Sequence, residues 1–284
     1  MHTPVLVEEV LEFLSPGPGG RFIDATVGAG GHAAAILERT SPGGQLLAID
    51  QDEEALALAR RNLERFASRV RFAHANFSSV AEVARENGFD SADGVVADLG
   101  VSSMMLDQPE RGFSFRFDGP LDMRMDRSQP LTAAEIVNTA SERELADILF
   151  NFGDERRSRP IARSIVRRRP YRTTGDLLRA IEAVSGPKRH GRIHPATRTF
   201  MALRLVVNRE VENLETFLAE CPRIIRVGGR MVVISFHSIE DRIVKRAMRS
   251  SGKVLTRKVV RAGDRECREN PRARSARLRA LERV

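Results

Sequence analysis

Between residues 22 and 32 the chain reads F-I-D-A-T-V-G-A-G-G-H, and this stretch most limits what the chain can fold into. Phe22-Ile23 is a short apolar run that ends in Asp24. Gly28, Gly30 and Gly31 then fall within four positions, and His32 opens an alanine-rich, helix-like segment. Such a pattern predicts a buried strand turning sharply into a helix. Glycines there let a ligand approach the backbone closely, and the helix start offers unpaired N–H groups to an anion.

The surrounding periodicity extends the prediction. Residues 21–25, 45–50, 70–74 and 94–99 read as strands, and 31–40, 52–66 and 77–87 as helices. Within 52–66 the apolar residues Ala55, Leu56, Ala59, Leu63 and Phe66 recur at helical spacing. Alternating strand and helix implies a parallel, doubly wound α/β sheet. The rhythm stops at 103–200, which holds loops and helix-like segments at 132–138, 142–171 and 174–184. It then resumes with a helix at 202–220, a turn at 227–230, a strand at 231–236 and a helix at 238–248. Residues 254–260 and 276–281 fit a closing antiparallel pair. The expectation is a seven-stranded Rossmann-like sheet formed by 1–104 and 203–284. An all-helical domain at 105–202 is inserted into it.

Charge adds a partner. The net charge is +8, with residues 155–198 holding 13 basic and 3 acidic side chains, and 242–284 holding 15 and 4. Nearly all these cations are arginine, whose planar fork suits phosphates and whose face stacks on bases. Two basic zones on an otherwise acidic body suggest a nucleic-acid partner, against the plainer reading of an arginine-rich solvated surface. No apolar run approaches the roughly 20 residues of a membrane helix. The first ten residues lack the basic and then apolar segments of a secretory signal, so a cytoplasmic protein is expected. Cys221 and Cys267 have no motif around them, and neither a disulfide framework nor a metal site is expected. His190 and His194 are four apart, but Pro195 follows them and no H-E-x-x-H is present.

Two ligands compete for the glycine turn. Asp50 ends the second strand 20 residues past Gly30, where an acid accepts hydrogen bonds from ribose hydroxyls. Gly28-x-Gly30-x-x-Ala33 fits a relaxed dinucleotide fingerprint, as in a nicotinamide-dependent oxidoreductase. The alternative is S-adenosylmethionine. Asp24 stands four residues before the first glycine, and Asp98 ends the fourth strand. Carboxylates there attract a sulfonium and an amino group and repel a pyrophosphate. Asp98 as a mere helix cap or turn residue is the plainer possibility.

Further along, six stretches occur in order: DLGVSS (98–103), RGFSF (111–115), DGPLDMRMD (118–126), HPATRTF (194–200), ISFHSIEDR (234–242) and NPRARS (270–275). Together they closely resemble the RsmH (MraW) family, and the resemblance runs from His2-Thr3-Pro4 to the C-terminus. Members are bacterial methyltransferases of the exocyclic amine of one cytidine in the decoding region of small-subunit ribosomal RNA. The resemblance implies S-adenosylmethionine as methyl donor. It also implies a partner in the ribosomal RNA or the small subunit. It assigns Gly30, Gly31 and His32 to the cofactor turn, beside Gly28 of the same glycine pattern, Asp50 to the ribose, Phe77 to the adenine and Asp98 to the methionine end. One departure stands out: a family glutamine that touches the cofactor is Met105 here.

Cytosine's exocyclic amine is a poor nucleophile, because its lone pair is delocalised into the ring. A group that accepts its protons favours attack and later takes a proton. Asp98, or a carbonyl of Leu99 or Gly100, is the candidate. The base must be presented unstacked. Phe113, Phe115 and Phe117 alternate in a glycine-flanked segment where one ring could stack on it, or all could be core. His237 and Arg198 are further substrate candidates, with His237 equally readable as a hydrogen-bonded strand end. The arginine clusters at 156–157, 167–169, 188–192 and 272–274 suit phosphates. Asp122, Arg124 and Asp126 suit an internal polar network. A non-catalytic RNA-binding module would explain the charge alone.

Overall fold

In the computed structural model, residues 4–186 and 194–284 are described. His2, Thr3, Lys188, Arg189, His190 and Arg192, named above, lie outside the described residues. The chain divides into two compact units, one running to Gly100 and resuming at Glu212, the other spanning Val101–Val211. The second unit thus reaches further at both ends than the predicted 105–202.

The first unit opens with α1 (Val7–Leu14), then β1 (Arg21–Asp24), α2 (Gly31–Arg39), β2 (Gln45–Asp50) and α3 (Glu53–Asn62). Next come β3 (Val70–His74), α4 (Val80–Glu86) and β4 (Ala92–Asp98). The second unit carries α5 (Ser103–Asp107), α6 (Ala133–Thr139), α7 (Glu142–Gly153), α8 (Ser158–Arg167), α9 (Thr174–Ser185) and α10 (Ala196–Val207). After α11 (Glu210–Glu220) follow β5 (Ile225–Ser235), α12 (Ser238–Ser251), β6 (Lys253–Val254), α13 (Asp264–Glu269) and β7 (Arg277–Glu282).

The sheet order is β3-β2-β1-β4-β5-β7-β6, with β7 antiparallel to both its neighbours and the other pairs parallel. Side chains alternate across each strand, so one sequence feeds two cores. Ile23, Leu47, Ile49, Val95, Ala97 and Val233 pack under α4, α11 and α12. Phe22, Leu46, Ala48, Val96 and Val232 pack under α1, α2 and α3. The central strands are therefore apolar throughout, as a sheet covered on both faces requires. The second unit has its own core, with Leu145, Leu149, Ile161, Ile165, Leu177 and Leu203 among its buried residues. Among the described residues no helix is long and apolar enough to cross a membrane.

Four sequence expectations change. The helix expected over 142–171 is two, α7 and α8, because Asp154 caps α7 in the left-handed region at φ 49°. The helix expected over 202–220 breaks at Asn208 and Arg209, the latter at φ 49°. Asn208 explains that break: its amide donates to Met123 O and Arg204 O and accepts from Met125 N, so it stitches a loop instead of continuing a helix. The turn expected at 227–230 lies inside β5, where the register against β4 shifts between Ala92 and Gly94. The closing pair is shorter than expected, with β6 two residues long and Val260 making an isolated bridge to Leu278. The polar network at 122–126 is internal: Arg124 grips Asp122 through two hydrogen bonds of 2.7 and 2.9 Å, while Asp126 caps Ser128.

Gly229 shows why a glycine pair sits in a strand. A Cβ there would lie 2.6 Å from Ile225 Cγ2 and 2.9 Å from Asp93 O. Overpacking of this kind costs about 1–3 kcal/mol. Gly229→Ala is therefore expected to lower the thermal unfolding midpoint by several degrees, and an unchanged midpoint would show that the bulge gives way freely.

Candidate active site

Three parallel strands end in a carboxylate at the same edge of the sheet: Asp24 on β1, Asp50 on β2 and Asp98 on β4. In open α/β sheets this carboxyl edge is where ligands bind. The glycine turn ties the three tips together. Val27 N–H donates to Ile49 O, Ala25 N–H to Val96 O, and Gly28 N–H to Asp50 Oδ2 at 2.8 Å. The Asp98 backbone N–H donates to Thr26 Oγ1 at 2.7 Å.

Gly28 and Gly30 hold φ of 51° and 86°, which an L side chain resists. Gly30 presses on Leu63, whereas Gly28 has only Thr26 O within 4 Å of where a Cβ would stand. The backbone is thus open to a ligand at Gly28. Gly31 starts α2 against Pro4.

The electrostatics run in one direction. Burial pushes the Asp24 carboxyl up to about 7; the N–H groups of Thr26 and Ala33 pull it down, and Asp50 pushes it further up. Burial raises Asp50 to about 6 against the N–H groups of Asp52 and Gly28. Burial, then Asp24 and Glu240, hold Asp98 well above the usual carboxylate range. Asp24 Oδ2 and Asp98 Oδ1 are buried and have no hydrogen-bond partner. A buried acceptor without a donor is costly, and like charges raise the cost. A cationic ligand relieves both. The N-terminal turn of α2 also discriminates. The Asp24 carboxyl, raised in part by Asp50, faces the start of α2, and a pyrophosphate there would meet carboxyl groups rather than a free helix start.

Asp50 suits a ribose. Gly28 N–H and Asp52 N–H occupy one site on each of its oxygens, leaving a lone pair on each for a hydroxyl. His32 is 6% exposed, with Nε2 2.8 Å from Val5 O. A carbonyl only accepts, so Nε2 carries the proton. Nδ1 lies 4.0 Å from Asp98 Oδ2. Phe77 follows β3 and packs edge-on against Phe217, 5.5 Å between centroids, and stays half-buried.

His237 caps α12. Its Nδ1 accepts from Glu240 N–H, and Glu240 Oε2 accepts from Phe236 and His237 N–H. Sequence reasoning missed Glu240, which is 4% exposed and raises Asp98. The signal was present: His237 and Glu240 stand at capping-box spacing right after a buried strand.

In the second unit, Phe113 is buried in the core, and Phe115 packs on His194 and Phe200 at 4.7 and 5.0 Å. Phe117 is 58% exposed. Arg198 is exposed on α10. Met105 is buried in that unit's apolar core, and its thioether offers nothing like a glutamine's hydrogen bonds. A cavity of about 320 Å³ lies at the opposite edge of the sheet, beside Phe22, Asp93, Arg226 and Arg230. Its charges are already matched, Arg226 to Asp93 at 2.6 Å and Arg230 to Glu282 at 3.4 Å.

The Asp24 shift sets a pH dependence. Folded Asp24 titrates near 7 and unfolded Asp24 near 3.8. Between those values the folded chain holds the proton more tightly, so this group's contribution to stability falls as pH rises. Asp24→Asn removes that contribution. Its unfolding midpoint is expected to vary less than wild type between about pH 4 and 7 and to be higher at pH 8. A cationic ligand selects the ionised carboxyl, so its affinity for wild type rises with pH up to about 7. Identical pH profiles for the two proteins would refute this.

A family model described as the MraW methylase family matches residues 1–284. A protein named Ribosomal RNA small subunit methyltransferase H from Nostoc sp. is 52% identical, covering 99% of this chain and 92% of that one. One of the same name from Gloeobacter violaceus is 54% identical, covering 100% and 88%. Among solved structures, TrmN from Thermus thermophilus aligns at 14% identity and TM-score 0.49, covering 98% of this chain and 48% of that one. A putative rRNA-methylase from Clostridium thermocellum aligns at 12% identity and TM-score 0.47, covering 98% and 95%. With its full length matched by the family model, the chain belongs to the MraW methylase family.

Proposed function

We propose that this chain methylates the exocyclic N4 amine of a specific cytidine in the decoding region of small-subunit ribosomal RNA. S-adenosylmethionine is the methyl donor. The observation that carries the reading is Asp98: a half-buried carboxyl at the tip of β4 whose buried Oδ1 lacks a partner, in a chain of a methylase family. The name shared by relatives more than 50% identical over nearly the whole chain supports ribosomal RNA as substrate.

The residues present fit this cofactor. When bound, it supplies an electrophilic methyl group on a sulfonium. Asp24 and Asp98 match its cationic end, Asp50 accepts from its ribose hydroxyls, and Phe77 offers a ring to its adenine. Gly28, Gly30 and Gly31 keep the backbone close, with His32 at the start of α2 beside them.

Asp98 then serves the amine. Its carboxylate accepts a hydrogen bond from N4, which returns lone-pair density to the nitrogen, and afterwards takes the proton. The raised pKa makes Asp98 a stronger base than an ordinary carboxylate. A cation beside it would favour its ionised form. What remains is alignment of the reacting atoms. The exposed arginines hold the RNA; His237 is the substrate candidate in the first unit, and Phe117 and Arg198 are those exposed on the second. Phe113 and Phe115 serve the core. Such a substrate places the protein in the cytoplasm.

The test is methyl transfer from labelled S-adenosylmethionine to small subunits from cells lacking this protein, with the labelled nucleoside identified by mass. Label is expected in N4-methylated cytidine. Asp98→Ala is expected to lose at least about 100-fold in rate, the usual scale of general-base catalysis. Label in another nucleoside would sink the substrate assignment, and a near-normal Asp98→Ala rate would remove Asp98 from the chemistry.

A further inference from the structure

α12 starts at the carboxyl edge of the sheet, where His237 caps it directly after β5. Its outward face carries Arg242, Lys245, Arg246 and Arg249, all exposed. The other exposed residues of the helix are Ser238 and Ser250, so this face has no acid. The helix's two acids turn elsewhere. Glu240 is buried in the cap, and Asp241 is held by Arg279 at 2.7 Å. Among the described residues one acid from neighbouring elements reaches the row: Glu215 of α11, 3.7 Å from Arg246, with both side chains more than half exposed. Such a surface pair contributes little.

The row works against its own helix. Arg242 and Arg246, and Lys245 and Arg249, are like charges four residues apart; Arg242 and Lys245, and Arg246 and Arg249, are three apart. Spacings of three and four put side chains side by side, and like charges there destabilise a helix. Dipole compensation accounts for Arg249 in the last turn but not for Arg242 near the start. A polyanion lying along the face relieves all four repulsions together.

We propose that the Arg242–Lys245–Arg246–Arg249 face of α12 is a phosphate track for the substrate RNA, leading to the carboxyl edge where Asp98 stands. The inference rests on the RNA methyltransferase reading above. The row spans about 10 Å along the helix axis, room for a short run of backbone phosphates. A single-stranded segment suits it, since the target base must be free of its helix. The track carries no sequence information, so it sets affinity while the site sets the choice of base.

The test replaces the four cations by glutamine, a good helix former: R242Q/K245Q/R246Q/R249Q. Methyl transfer to unmodified small subunits is measured over a range of salt concentrations. The variant is expected to show a KM for subunits raised at least tenfold, with kcat and S-adenosylmethionine affinity unchanged. The slope of log KM against log salt is expected to flatten by about 0.7 for each phosphate that the replaced cations no longer neutralise. Its unfolding midpoint should equal or exceed wild type, because the repulsion is gone. The double variant K245Q/R249Q should fall between. A KM and salt slope equal to wild type would overturn the track. A raised KM with an unchanged slope, or with a lowered midpoint, would assign the row a structural role and also overturn it. If wild type puts no label on ribosomal RNA, the underlying methyltransferase reading fails instead.

Discussion

Everything at the carboxyl edge depends on how the turn after β1 is tied to its neighbours. Thr26 Oγ1 takes the backbone N–H of Asp98, and Asp50 takes the N–H of Gly28. Two hydrogen bonds thus fix the tips of β1, β2 and β4 in one arrangement. That arrangement needs left-handed backbone at Gly28 and Gly30, which is why glycine stands there. It also draws Asp24, Asp50 and Asp98 together, where Asp50 raises the proton affinity of Asp24 and Asp24 that of Asp98. The fold tolerates this because the same sheet buries apolar side chains on both faces. Stability gained by the strands is spent holding three acids close together and largely out of water, a balance typical of functional sites.

The sign of the site follows from that tie. A phosphate ligand would meet three acids and a helix start already serving Asp24. A cation meets two carboxyl oxygens without donors. The pattern of glycines admits either ligand, and only the placement of charge separates them. Glu240 extends the logic from α12, adding negative charge beside Asp98. Asp98 therefore sits among groups that resist its ionised form, so its proton is sensitive to what binds beside it.

Much of the sheet was legible in the sequence, for physical reasons that can be named. Strands covered on both faces must be apolar throughout, so 45–50 and 231–236 announced themselves. Acids directly after such runs had to lie at the sheet's edge, which found Asp50 and Asp98. What escaped was set by tertiary packing. The break in the expected helix over 202–220 comes from Asn208 satisfying Met123 O and Met125 N, far away in sequence. α1 is capped at both ends by residues in left-handed conformation, Leu6 and Ser15, which no pattern announces. Phe113 and Phe115 read equally as substrate platforms or core, and only their packing assigns them to the core. Glu240 escaped as a contributor to the site because its partners are backbone amides just before it in the chain.

The arginines show the same limit more sharply. Counting charge along the chain treats every cation alike, but the fold employs them differently. Arg169 is committed to carbonyls at Val137 and Ala140, Arg204 to Glu210, and Arg111 to the carbonyls of Arg124 and Met125. These side chains hold the protein together and are screened from a partner. Residues 167–169, a run of three in sequence, therefore present a smaller free charge than four cations spread over eight residues of α12. A helix whose acids face inward and whose cations face outward concentrates field on one surface. A polyanion responds to that surface density, so the effective partner-binding charge belongs to a face of the fold and not to a stretch of the sequence.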